Sequence, residues 1–102
     1  MDAKHLDQKK IKFDILKIVG KYLDLQEYKV FFFGSRVKGT STPHSDIDIG
    51  IEGPAEVPAE KFLSIKEDIE NLPILYKFDV VDFKSVGDKL HQEAKKNIEY
   101  LN

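Results

Sequence analysis

Along residues 6–25 the apolar positions are Leu6, Ile11, Ile15, Leu16, Val19, Tyr22 and Leu23. Steps of mainly four residues predict an amphipathic helix over Leu6–Leu25, with Lys9, Lys10, Lys12, Lys17 and Lys21 mostly off the apolar stripe. The pattern then changes. Tyr28–Phe33 is short, aromatic and β-branched, stops at Gly34, and reads as a buried strand. Residues 35–45 are rich in Ser, Thr and Gly, with Pro43, and read as a loop with room for a short helical turn.

Strict alternation returns at Asp46–Glu52. Ile47, Ile49 and Ile51 share one face of a second strand, and Asp46, Asp48 and Glu52 share the other, with Gly50 between them. A loop with two prolines follows over Gly53–Pro58. Ala59–Asn71 has helical spacing through Phe62, Ile65, Ile69 and Leu72, and Pro73 stops it. Ile74–Phe83 reads as a third strand. Ser85 and Asp88 resemble a capping box in a weaker form, and Val86, Leu90, Ala94, Ile98 and Leu101 predict a last helix. The expected order is helix, strand, loop, strand, helix, strand, helix: one α/β unit over residues 1–102, without repeat or linker.

Composition narrows the chemistry. The 102 residues, 41% hydrophobic and 33% charged, supply one modest core and exclude wholesale disorder. The formal net charge is -2, which argues against a protein that coats nucleic acid, since phosphate neutralisation carries most of that affinity. There is no Cys, so disulfides, thiolate zinc sites and cysteine nucleophiles are excluded. His5, His44 and His91 lack helical ligand spacing. The charged start reads as no signal peptide, and no apolar run approaches the ~20 residues of a membrane span. These features predict a soluble, cytoplasmic protein without a membrane partner.

The candidate chemistry sits in Gly34-Ser35 and Asp46-x-Asp48. Two Asp two apart on a strand share a face, about 6.6 Å apart along the backbone. Carboxylates so placed repel unless a cation or proton lies between them, and such hard oxygen ligands suit Mg²⁺ or Mn²⁺. A solvated strand face is the plainer account of the same alternation. Gly34 lets backbone approach a ligand, and successive N–H groups there can cradle phosphate. Gly34-x-x-x-x-Gly39 begins like a P-loop, but Thr40 stands where a Lys is required, and no G-x-G-x-x-G is present.

The joint pattern is an apolar strand, Gly34-Ser35, Gly39, Ser45-Asp46-Ile47-Asp48 and a later apolar strand holding Asp79. It resembles the DNA polymerase β-like nucleotidyltransferase superfamily, and GSRVKGTSTPHSDIDIGI looks like its minimal nucleotidyltransferase (MNT) branch. The resemblance implies an α+β, two-layer nucleotidyltransferase fold: a mixed β-sheet with helices packed on one face. It implies that Asp46 and Asp48 bind divalent metal and that Gly34 and Ser35 contact the triphosphate. A third carboxylate is implied on a later strand. Asp79 and Asp82 are three apart and face opposite sides of a regular strand, and the family pattern favours Asp79. Arg36, the sole Arg, follows Ser35; it either supports triphosphate charge or holds the loop by packing or a salt bridge.

The implied activity is transfer of NMP, AMP from ATP in the first instance, to an acceptor hydroxyl, with Mg²⁺ or Mn²⁺ as cofactor. The branch implies a HEPN-type helical partner, with this chain as antitoxin of a toxin–antitoxin pair and the acceptor half on another polypeptide. A non-catalytic nucleotide-binding or partner-binding module is the competing expectation.

Overall fold

The computed structural model describes residues 3–34, 47–73, 77–85 and 97–102. Helix α1 spans Ala3–Tyr22, strand β1 Lys29–Phe33, β2 Ile47–Glu52, helix α2 Ala59–Glu70, β3 Phe78–Asp82 and β4 Ile98–Tyr100. The strands form a four-stranded sheet in the order β3-β2-β1-β4. β1 pairs antiparallel with β2 and with β4, while β2 and β3 run parallel across the α2 connection. This is a mixed α+β sheet, with both helices of the described residues on one side.

Helix α1 presents Ile11, Ile15, Ile18 and Val19 to the core, all buried. Ile18 joins the expected stripe because steps of three and four alternate on a 3.6-residue turn. The chain turns at Asp24, whose carbonyl accepts from the Glu27 and Tyr28 N–H groups. Its carboxylate also accepts from the Gln26 N–H at 2.8 Å, an Asx turn that delivers the chain into β1. Ile65 and Ile69 of α2 are fully buried, with Phe62 and Leu72 packed beside them. Full burial of each isoleucine contributes about 1.5–3 kcal/mol. The helices are tied together where Asp68 accepts from the Tyr22 hydroxyl at 2.8 Å and from Lys21 at 3.1 Å.

The alternation in the strands divides the sheet in two. Val30, Phe32, Ile47, Ile49, Ile51 and Val80 pack under the helices. Phe31, Phe33 and Phe83 form a separate buried cluster on the opposite face, with Val81 and Ile98 against it.

One expectation is overturned. The last helix was expected to run to Leu101, but Ile98–Tyr100 is an edge strand. The stretch also alternates with period two. Ile98 joins the phenylalanine cluster, Tyr100 packs edge-on against Phe31, and Glu99 between them forms an ion pair with Lys12 of α1. The edge of β1 supplies backbone partners that a terminal helical turn would forgo. Asn102 then locks the edge, accepting from the Val30 N–H at 2.8 Å and donating to the Leu25 and Tyr28 carbonyls at 3.0 and 2.9 Å. The earlier part of the expected helix, 86–96, and the start of the expected third strand, 74–76, lie outside the described residues.

Candidate active site

The sheet's second face places the acids. In the parallel pair, Asp48 of β2 stands directly beside Asp79 of β3. Neighbouring strands lie about 4.8 Å apart and side chains at paired positions share a face. The two carboxylates are therefore held side by side on rigid strands, with Asp48 half-buried and Asp79 exposed.

Asp82, three residues on, belongs to the other face. It is only 8% exposed, and its carboxylate accepts from the Val57 N–H at 2.8 Å and from the Lys84 N–H at 3.0 Å. Those bonds fasten the loop before α2 and the turn after β3 to the sheet. A hollow of ≈ 330 Å³ at that end is lined by Glu56, Val57, Phe62, Val80, Asp82 and Ser85, away from the Asp48–Asp79 pair.

Gly34 completes the described part of the site. It closes β1, the strand on the other side of β2, where Phe33 pairs with Asp48. Its φ is +86°, in the left-handed region that favours glycine. A Cβ at this position would stand 3.3 Å from the Asp48 Cγ and inside 3.0 Å of its carboxylate oxygen, closer than real Cβ atoms approach. The bare glycine backbone thus abuts the Asp48 carboxylate. Sequence reasoning identified both residues but not this contact.

Gly50 was missed as a supporting position. It lies between Asp48 and Glu52 on the same face, and the Phe31 and Phe83 rings cross the space its side chain would take, at 2.5 Å from Phe31 Cζ and 2.8 Å from Phe83 Cε1. Those rings meet edge to face at 4.8 Å between centroids. They form the rigid floor next to the acids. The signal was available: an isolated glycine inside an alternating strand marks a close approach.

Of the residues singled out from the sequence, the structure brings Gly34, Asp48 and Asp79 together. Ser35, Arg36 and Asp46 lie outside the described residues. Among the described residues no group of three His, Cys, Asp or Glu side chains is placed to hold a metal ion. Asp48 and Asp79 are nonetheless two hard oxygen donors on one face, the ligand type that Mg²⁺ and Mn²⁺ favour.

A mixed sheet with the described helices on one face is the fold that solved nucleotidyltransferases share. Residues 14–101 match the family described as polymerase beta, nucleotidyltransferase, and the chain belongs to that family. Solved structures share the fold. A toxin–antitoxin complex with AMP-PNP superimposes with a TM-score of 0.73 at 21% identity, covering 89% of this chain and 72% of that one. The tri-AMPylated Shewanella oneidensis HEPN toxin in complex with MNT antitoxin gives 0.71 at 18% identity, over 93% and 71%. A structure described as that of a minimal nucleotidyltransferase gives 0.68 at 17% identity, over 97% of this chain and 95% of that one. No curated protein sequence matches the chain significantly.

Proposed function

We propose that residues 1–102 form one minimal nucleotidyltransferase domain that transfers AMP from ATP to a hydroxyl of a HEPN-type partner protein, as the antitoxin of a toxin–antitoxin pair. The observation that carries this reading is the Asp48–Asp79 pair, aligned across β2 and β3 with Gly34 against Asp48. The structural neighbours include an MNT antitoxin complexed with an AMPylated HEPN toxin and a toxin–antitoxin complex holding AMP-PNP, which supports both partner and donor.

Asp46, Asp48 and Asp79 hold the divalent ion in this proposal. When bound, Mg²⁺ or Mn²⁺ neutralises phosphate charge and favours ionisation of the attacking hydroxyl. In this proposal Gly34 and Ser35 contact the triphosphate, and Arg36 adds a guanidinium suited to phosphate geometry. The acceptor oxygen attacks the α-phosphorus, a new O–P bond forms, and the bond to the bridging oxygen of the leaving pyrophosphate breaks. Asp79, exposed beside Asp48, is the group available to take the hydroxyl proton.

No helix among the described residues is long and apolar enough to cross a membrane, and a cytoplasmic place is part of the proposal. The test is pyrophosphate release with each NTP, with Mg²⁺ or Mn²⁺, and with or without the HEPN-type partner. Asp48→Asn is expected to abolish release and leave the melting temperature nearly unchanged. Full activity in that variant refutes the site. Tight complex formation without turnover under every condition assigns the chain a non-catalytic binding role instead.

A further inference from the structure

The acids share their sheet face with an aromatic side chain that the core leaves open. Tyr100 on β4 is 55% exposed. Strand alternation fixes its side. Ile98 packs into the phenylalanine cluster, Glu99 reaches Lys12 on the helix face, and Tyr100 returns to the face of Ile98. Register fixes its place. Phe33 stands between Asp48 and Ile98, and Phe31 between Gly50 and Tyr100. Tyr100 is therefore two strands across and one two-residue step along from Asp48, about 12 Å between Cα atoms. Its ring meets the Phe31 ring at 5.6 Å and 68°, edge to face on the same side of the sheet as the acids.

We propose that Tyr100 is the base-stacking residue of the donor site, so that the nucleobase rests on its ring while the phosphates lie at Gly34 and Asp48. The inference rests on the nucleotidyl-transfer reading above. A nucleotide carries its base one ribose away from the α-phosphate, so a base on Tyr100 and phosphates at Gly34 and Asp48 lie along one face of the sheet, across β1. The ring is held by Phe31 on one side and half-exposed on the other, so stacking costs little ordering of the side chain. A stacking contact reads surface area rather than hydrogen-bonding pattern. ATP and GTP are therefore bound about equally through this residue, and both more tightly than CTP.

Calorimetric titration of the folded chain with ATP and with inorganic tripolyphosphate, each with Mg²⁺, tests this. Wild type binds ATP more tightly than tripolyphosphate. Tyr100→Leu keeps an apolar cover over Phe31 but removes the π-face; it weakens ATP binding roughly ten-fold and leaves tripolyphosphate binding unchanged. Tyr100→Phe binds ATP like wild type. Unchanged ATP affinity in Tyr100→Leu overturns the stacking role while the transfer reading stands. Equal weakening of both ligands overturns it too, because it marks Tyr100 as a purely structural support. Wild type that binds neither ligand refutes both readings.

Discussion

Gly34→Ala separates what the fold needs from what the site needs. The φ of +86° costs an L-residue roughly 1–2 kcal/mol in the left-handed region. For a domain of this size that lowers the melting temperature by roughly 5–15 °C. The new Cβ also occupies the place of the Asp48 carboxylate, and the cheapest relief is for that short side chain to swing away. Displacement of a reacting group by about 1 Å costs on the order of 100-fold in rate. Pyrophosphate release by Gly34→Ala, measured well below its melting temperature, is therefore expected to fall at least about 100-fold. Gly50→Ala is the comparison. Its Cβ meets ring atoms locked in the buried phenylalanine cluster, which cannot swing aside, so overpacking of roughly 1–3 kcal/mol or more falls on stability first. Wild-type turnover in folded Gly34→Ala would refute the reasoning, because the Asp48 carboxylate would then not need the place it holds.

Asp82→Ala leaves the Val57 and Lys84 N–H groups without their acceptor, at about 1–3 kcal/mol for each that stays buried; denaturant melts should show the loss, with activity per folded molecule retained. The Tyr22–Asp68 contact predicts a pH window. The hydrogen bond from Tyr22, then that from Lys21, holds the Asp68 carboxyl below its usual range, so the stabilisation is present above about pH 4 and is lost as pH falls through the lowered folded value. The same bond raises the Tyr22 pKa, so the contribution persists below about pH 10 and fades as pH rises through the raised value. The stability difference between wild type and Tyr22→Phe, followed by urea melts, is expected to be flat at neutral pH and to shrink at both extremes.

Much of this was legible from periodicity, because each strand and helix has one face in a core. Ile47, Ile49 and Ile51 announced β2, and Ile65 and Ile69 announced α2. The choice between Asp79 and Asp82 began with parity: residues three apart cannot share a strand face, and Asp82 is the one whose carboxylate accepts from two backbone N–H groups. Ile98–Tyr100 was not legible. Three residues fit both a helical step from Ala94 and a period-two strand, and the deciding partner is the distant edge of β1. The contact of Gly34 with Asp48 was hidden for the same reason, since it depends on a pairing register rather than on local spacing.

Register also explains why one short strand can serve both stability and chemistry. A slip of β2 by one residue would bury Asp48 and Glu52 under the helices and turn Ile47, Ile49 and Ile51 to the other face. The helix-side core resists that slip through three isoleucines, and the far face resists it through Gly50, whose missing side chain leaves room for the crossing Phe31 and Phe83 rings. The Asp48–Asp79 alignment is thus fixed from both sides of the sheet by side chains that take no part in transfer. Loosening either side by a core truncation such as Ile49→Ala should therefore reduce turnover by more than the fraction of unfolded protein accounts for.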